Sequence, residues 1–240
     1  MMNSQANSYL SCFCLLVLFF LTNACTGPDT SYFPLSKAKH WRYDITATSM
    51  GTTSFKRLLL ISLPSRIIEG ETTYIQQSLT GTQFLYQKNN LGIIRIGFIV
   101  ADGASLKKIE DEQLILPANI DVGSEWESIV STQILTTGKP SENGNMQMRA
   151  KIPVKNIIES NDDVIKVKAG EFQNCLRLHT NGFAFIRGNN NIGRALVEID
   201  QTNWYAPGVG LVKSVLTETS TNDALSRAEL VTELKLFERL

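Results

Sequence analysis

Histidine is almost missing from this 240-residue chain, with only His40 and His179 present. A zinc centre built on that pair would need further ligands from carboxylates or from Cys175. Also absent are a Gly-x-Ser-x-Gly elbow, a His-Glu-x-x-His pair and a glycine-rich phosphate loop. Those absences remove the usual signatures of serine hydrolases, zinc peptidases and nucleotide-dependent enzymes. Charge of one sign is lacking too. Lys and Arg total 23, as do Asp and Glu, so no global field draws the chain to nucleic acid or anionic lipid. Lys107-Lys108 stands beside Glu110-Asp111-Glu112, and that mixture, like Asp162-Asp163, reads as solvated surface. The sequence therefore predicts no catalytic residue, no metal site, no cofactor and no nucleic-acid partner.

A long hydrophobic run is likewise missing. The N-terminal apolar stretch, Tyr9 to Leu21, covers thirteen residues, against about 20 for a membrane-spanning helix. It ends in Thr22-Asn23-Ala24-Cys25. Short length and small residues before the break are marks of a removable secretory segment. The arrangement resembles a bacterial lipoprotein signal peptide, in which the cysteine becomes the acylated first residue of the mature protein. Two positions depart from the usual pattern: residues 1–8 contain no Lys or Arg, and Thr22 stands where Leu is preferred. Ordinary secretion and a membrane anchor are the alternatives. The resemblance implies lipidation at Cys25, membrane attachment through it and, with Thr26 rather than Asp following, the outer membrane facing the periplasm. The expected organisation is a signal peptide over 1–24, the lipidated cysteine and a Gly/Pro-containing tether over 25–31, and one domain over 32–240.

Cysteine is scarce in that domain. Cys12 and Cys14 fall in the leader, so an acylated Cys25 leaves Cys175 alone. The fold must then rest on its core rather than on the disulfides common in small secreted proteins, and 216 residues suffice to bury one. Cys175 lies in an alternation with Phe172, Asn174, Leu176 and Leu178 on one side and Cys175, Arg177 and His179 on the other. It reads as a half-buried structural thiol. A strand spacing of four residues separates it from His179 by about 13 Å, which argues against a nucleophile–base pair.

Period two dominates the remainder. Trp41, Tyr43 and Ile45 alternate with Arg42, Asp44 and Thr46, and Leu91 to Val100 is β-branched on both faces. Further runs occupy 72–79, 126–135, 146–154, 164–168, 172–186, 195–205, 210–219 and 228–237. Turn residues fall between them, including Glu69-Gly70, Gly81, Asn89-Asn90, Asn161-Asp162-Asp163 and Pro207-Gly208. Residues 137–145 read as a long loop. The expected fold is all-β, a single antiparallel domain forming an open or partly closed barrel or sandwich. One or two short helices are expected, at 104–113 and 221–227.

Four segments stand out: Tyr32-Phe33-Pro34-Leu35 with Trp41-Arg42-Tyr43, then 116–126, then Val167 to Cys175, and Trp204-Tyr205-Ala206-Pro207-Gly208-Val209-Gly210-Leu211-Val212-Lys213. Together they resemble a broad group of uncharacterised bacterial secreted proteins and lipoproteins, most specifically through the hairpin at 204–213. The resemblance implies a β-rich, periplasm-facing domain and carries over no catalytic residue. Read on its own, Pro207-Gly208 is a type II turn signature, Gly210 allows a bulge or close backbone approach, and Trp204 and Tyr205 point to opposite faces. The hairpin is then either a packed corner or a binding lip using Trp204 and Tyr205. The function expected is a non-catalytic binding or assembly module, with envelope proteins as partners. A carrier holding a lipid or other apolar ligand in a concave half-barrel is the alternative, and a hydrolase with unrecognised carboxylates is third.

Overall fold

The computed structural model describes residues 31–35, 39–49, 51–101, 106–133, 150–187, 194–222, 225 and 227–239. Cys25, the leader and the loop expected at 137–145 lie outside them. Twelve strands follow one another along the chain: β1 Lys39–Ser49, β2 Thr52–Ile68, β3 Glu71–Ser78, β4 Gln83–Lys88, β5 Gly92–Ile99, β6 Lys107–Pro117, β7 Glu125–Ser131, β8 Lys151–Val167, β9 Gly170–Arg187, β10 Arg194–Ala206, β11 Gly210–Ser220 and β12 Ala228–Arg239. They form one antiparallel sheet in the order 6-5-4-3-2-1-12-11-10-9-8-7. Every strand but the edges pairs with its sequence neighbours, and the first strand closes on the last, from Lys39 opposite Arg239 to Ser49 opposite Ala228. The edge strands β6 and β7 touch but share no ladder. The fold is thus a curled meander, all-β as expected and not closed into a barrel.

Local chemistry fixes the hairpins. Glu69 and Gly70 both take positive φ, 54° and 85°, as a two-residue turn between twisted strands requires. The helix expected at 104–113 is not formed, because residues 107–117 pair with β5, Arg95 opposite Gln113 and Ile93 opposite Leu116. Helix-favouring Lys and Glu there yield to ladder bonds and to burial of Leu116, a tertiary override of propensity. Around 221–227 the described residues make no helix either; Leu225 is buried in the core. Residues 161–163, expected as a turn, lie inside β8, which runs through them by irregularities in its register with β9.

Those irregularities matter. Such a break bends the bulged strand and raises its twist. The distal half of the β8–β9 hairpin consequently lies over the sheet. The Ala169 amide donates to the Leu234 carbonyl at 3.1 Å, Lys168 Nζ reaches Asp44 at 2.8 Å, and the Trp204 indole donates to Asp163 at 2.9 Å. Asp44 and Trp204 alternate with Tyr43 and Tyr205, so the hairpin tip covers the face opposite those tyrosines. Trp41, Tyr43, Val209, Val212 and Leu234 form one buried cluster with Cys175, and Phe172 and Ile165 of the hairpin pack against it.

Candidate functional site

Ile45, Tyr205, Ile199 and Asn203 face the inside of the curl, where a cavity of about 460 Å³ is lined by side chains from β1, β2 and β5 to β12. Eight strands give a barrel interior just filled by its own side chains. Twelve curled strands leave room, and 460 Å³ falls within the range of small-molecule sites.

The lumen is not uniformly apolar. A polar row crosses neighbouring strands: Ser128 on β7, Asn156 on β8, Thr180 on β9, Gln201 on β10, Ser214 on β11 and Thr232 on β12. Register produces the row, since Thr180 sits opposite both Asn156 and Gln201, and Ser214 opposite Thr232. Thr180 donates to Asn156 Oδ1 at 2.8 Å, and Asn156 Nδ2 donates to Ser128 at 2.9 Å. Gln201 Nε2 donates to Asn203 and Ser214, both at 3.1 Å. Glu218, fully buried, lines the same cavity and accepts from the Gln133 amide at 2.6 Å.

One end of the lumen is stoppered by two of the segments singled out in the sequence. Ser31 accepts from the Gly208 amide at 2.9 Å, the Tyr32 hydroxyl donates to the Asn174 carbonyl at 3.1 Å, and the Phe33 ring lies 5.1 Å from that of Tyr86. Gly210, at φ +96°, leaves room for Pro34, whose Cδ would stand 3.3 Å from a Cβ at that position. Phe33, Pro34, Trp41, Leu60, Tyr86 and Tyr205 help enclose a second, more apolar chamber of about 160 Å³ at this end. Gly208 takes φ +71° as its turn demands. The 204–213 hairpin is therefore a packed corner: Tyr205 is buried inside, and Trp204 packs under the β8–β9 tip.

Three tyrosines meet here. Tyr43 donates to the Leu211 carbonyl at 3.0 Å. Burial pushes the pKa of Tyr43, Tyr86 and Tyr205 upward; the neighbouring tyrosines add to the rise at Tyr43 and Tyr205, and the positive charge of Arg95 opposes it at Tyr86. All three are thus neutral hydroxyl donors at ordinary pH.

Cys175 is fully buried, its Sγ 3.5 Å from the Phe172 carbonyl. Burial pushes its thiol up to about 11. The expected alternation fails at Asn174, which takes φ 54° and lets both Cys175 and Leu176 point into buried clusters. His179 faces the outside between Glu159 (3.2 Å) and Asp200 (3.0 Å). Arg177 pairs there with Glu159 and Asp163, at 3.1 and 3.2 Å. These groups form an external ion-pair lattice, and no cluster of metal-binding geometry exists among the described residues.

A wider groove of about 940 Å³ runs outside, over Gly182, with Phe183, Lys155, Glu198 and Asp200 on its walls. It is an open crease in the sheet lined largely by exposed side chains, and it holds no buried polar group without a partner. The lumen residues Arg95, Asn156 and Gln201 were not singled out by sequence reasoning. Gln201 and Asn203 had a visible signal, since they interrupt an apolar face running from Ile199 to Tyr205.

No family model and no curated protein matches the chain. Among solved structures, it is similar to a candidate lipoprotein from Parabacteroides distasonis at a TM-score of 0.41 and 12% identity, covering 87% of this chain and 99% of that one. It is also similar to a candidate exported protein with a YmcC-like fold from Bacteroides fragilis, at a TM-score of 0.40 and 12% identity, covering 86% and 98%.

Proposed function

We propose that the protein is a lipid-anchored envelope protein acting as a non-catalytic binding module, with Cys25 as its outer-membrane anchor and the lumen as its binding site. The observation that carries this reading is the lumen: a 460 Å³ space whose walls combine a hydrogen-bonding row with apolar strands. Such a mixture of apolar wall and few convergent polar groups is the common make-up of small-molecule sites. It suits a partly polar ligand better than a wholly apolar lipid chain, which would leave Asn156, Gln201 and Asn203 facing hydrocarbon at a cost. The apolar end chamber favours a ligand with an apolar part, and that is the support for the carrier reading.

The tether sets an orientation. Six residues from Cys25 to Ser31 reach at most roughly 20 Å, so the stoppered end of the lumen stands toward the membrane. Native mass spectrometry of protein extracted from membranes tests the binding role. The expected result is a small-molecule adduct that Thr232→Trp, which fills the lumen, abolishes while folding is retained; an adduct-free parent protein would overturn it. Loss of the protein from the membrane fraction on Cys25→Ser tests the anchor separately.

A further inference from the structure

Arg95 stands in the lumen wall without an ion-pair partner among the described residues. Its Nε is buried and without a hydrogen-bond acceptor. Its guanidinium stacks over the Phe84 ring, with Cζ 4.9 Å from the ring centroid. An aromatic face attracts a cation but accepts none of the five N–H bonds a guanidinium offers in a fixed fork. The residue as a whole is half-buried, so it is the shielded Nε edge of the guanidinium that lacks a partner, and a shielded donor of a charged group is normally hydrogen-bonded.

The neighbours of Arg95 bring further donors and, among the described residues, no negative charge. In the ladder it sits opposite Tyr86 on β4 and Gln113 on β6, and Gln113 lines the same cavity. Tyr205, which lines both the lumen and the end chamber, couples electrostatically to Tyr86. Among the described residues, neither tyrosine hydroxyl nor the Gln113 amide has a hydrogen bond. Trp126, packed against Leu116, Tyr205 and Ile115 near the β6–β7 seam, adds a buried indole N–H without an acceptor. The lumen's own carboxylate, Glu218, lies seven residues along β11 from Leu211 at the stoppered end, about 23 Å away, and is engaged by Gln133.

We infer that the stoppered end of the lumen binds the carboxylate of an organic acid, with Arg95 as its bidentate partner, Tyr86, Tyr205 and Gln113 as neutral donors around it, and the acid's apolar body lying in the chamber walled by Phe33, Leu58 and Leu60. This rests on the lumen being the binding site. A guanidinium fork matches a carboxylate in two parallel bonds, and a water-poor wall strengthens them. The charge on Arg95 gives the site its sign, while the shape of the chamber selects the body of the ligand.

Calorimetric titration of the full chain with 2-naphthoate and with its neutral isostere 2-naphthamide separates these claims. Naphthoate is expected to bind at least tenfold more tightly than naphthamide. Arg95→Met should erase the difference by weakening naphthoate alone, and Arg95→Lys should restore part of it, since one ammonium keeps the charge and loses the fork. Equal affinities of the two compounds for the parent protein would overturn the carboxylate site while leaving the lumen as a binding cavity. Naphthoate preference that survives in a folded Arg95→Met protein would overturn the role of Arg95. The parent ratio needs no variant, so misfolding of Arg95→Met cannot hide the answer.

Discussion

The Trp41 indole N–H donates to the Val209 carbonyl at 2.6 Å across 168 residues of sequence. It ties the first strand of the sheet to the β10–β11 turn and so holds the corner against which the Ser31–Leu35 stopper rests. Trp41→Phe removes the donor and leaves a buried carbonyl unsatisfied, a loss of about 1–3 kcal/mol. Urea unfolding should show a lower midpoint with an unchanged slope; an unchanged midpoint would mean that the bond contributes nothing to the corner.

Asp163 pins the folded-over hairpin. Burial works against its charge, but hydrogen bonds from Ser160 and Trp204 and the nearby Arg177 outweigh that and hold its carboxyl below the ordinary range. A depressed carboxyl pKa contributes stability that is present above its unfolded value, about 3.9, and is lost as pH falls through the folded one. Asp163→Asn should destabilise the protein at pH 7 and flatten its stability profile below about pH 4. An acid limb as steep as the parent's would place the titration elsewhere, with Asp44, lowered by its hydrogen bond from Lys168, as the first alternative.

Cys175 should be inert. With its thiol pushed up to about 11, it is protonated and buried at pH 8, so a disulfide reagent should label it only on unfolding. The raised value also has a stability sign: nothing is lost below the unfolded value of about 8.5, and stability declines as pH rises through that of the folded state. Cys175→Ala should remove this alkaline loss, at the expense of a small cavity. Rapid labelling of the native protein would contradict the burial.

Gly182 has no room for a side chain. A Cβ there would stand 2.1 Å from the Pro153 carbonyl and 2.8 Å from Val154 Cα, both backbone atoms of the paired strand. Gly182→Ala must push β8 off β9 and should cost at least about 1–3 kcal/mol, read as a lowered melting temperature. Wild-type stability in this variant would mean that the two strands separate freely here.

Much of the strand layout could be read directly, because a half-buried strand writes its two faces into alternate residues. Trp41, Tyr43 and Ile45 announced β1, and Leu230 and Leu234 announced β12 against their helical propensity. The reading failed where register breaks. Leu91 to Val100 carries apolar residues on both faces because the β5–β6 ladder slips between Ile93 and Ile94 and again between Arg95 and Gly97, and no local pattern encodes a slip dictated by the neighbouring strand. Residues 107–113, within the helix expected at 104–113, went wrong for the same reason, as their partner in β5 decides their state.

By itself the sequence determined an all-β chain, the turns that punctuate it, and a cysteine placed as lipoprotein anchors are placed. Only the tertiary structure decided that the Tyr32-Phe33-Pro34 segment and the 204–213 hairpin meet at one end of a lumen, and that Arg95 faces into it. The reason is physical. Alternation along a strand is a local property, whereas a cavity is made by side chains from strands as much as 187 residues apart, Ile45 and Thr232 among them. Their meeting depends on how far twelve strands curl before the two edges touch.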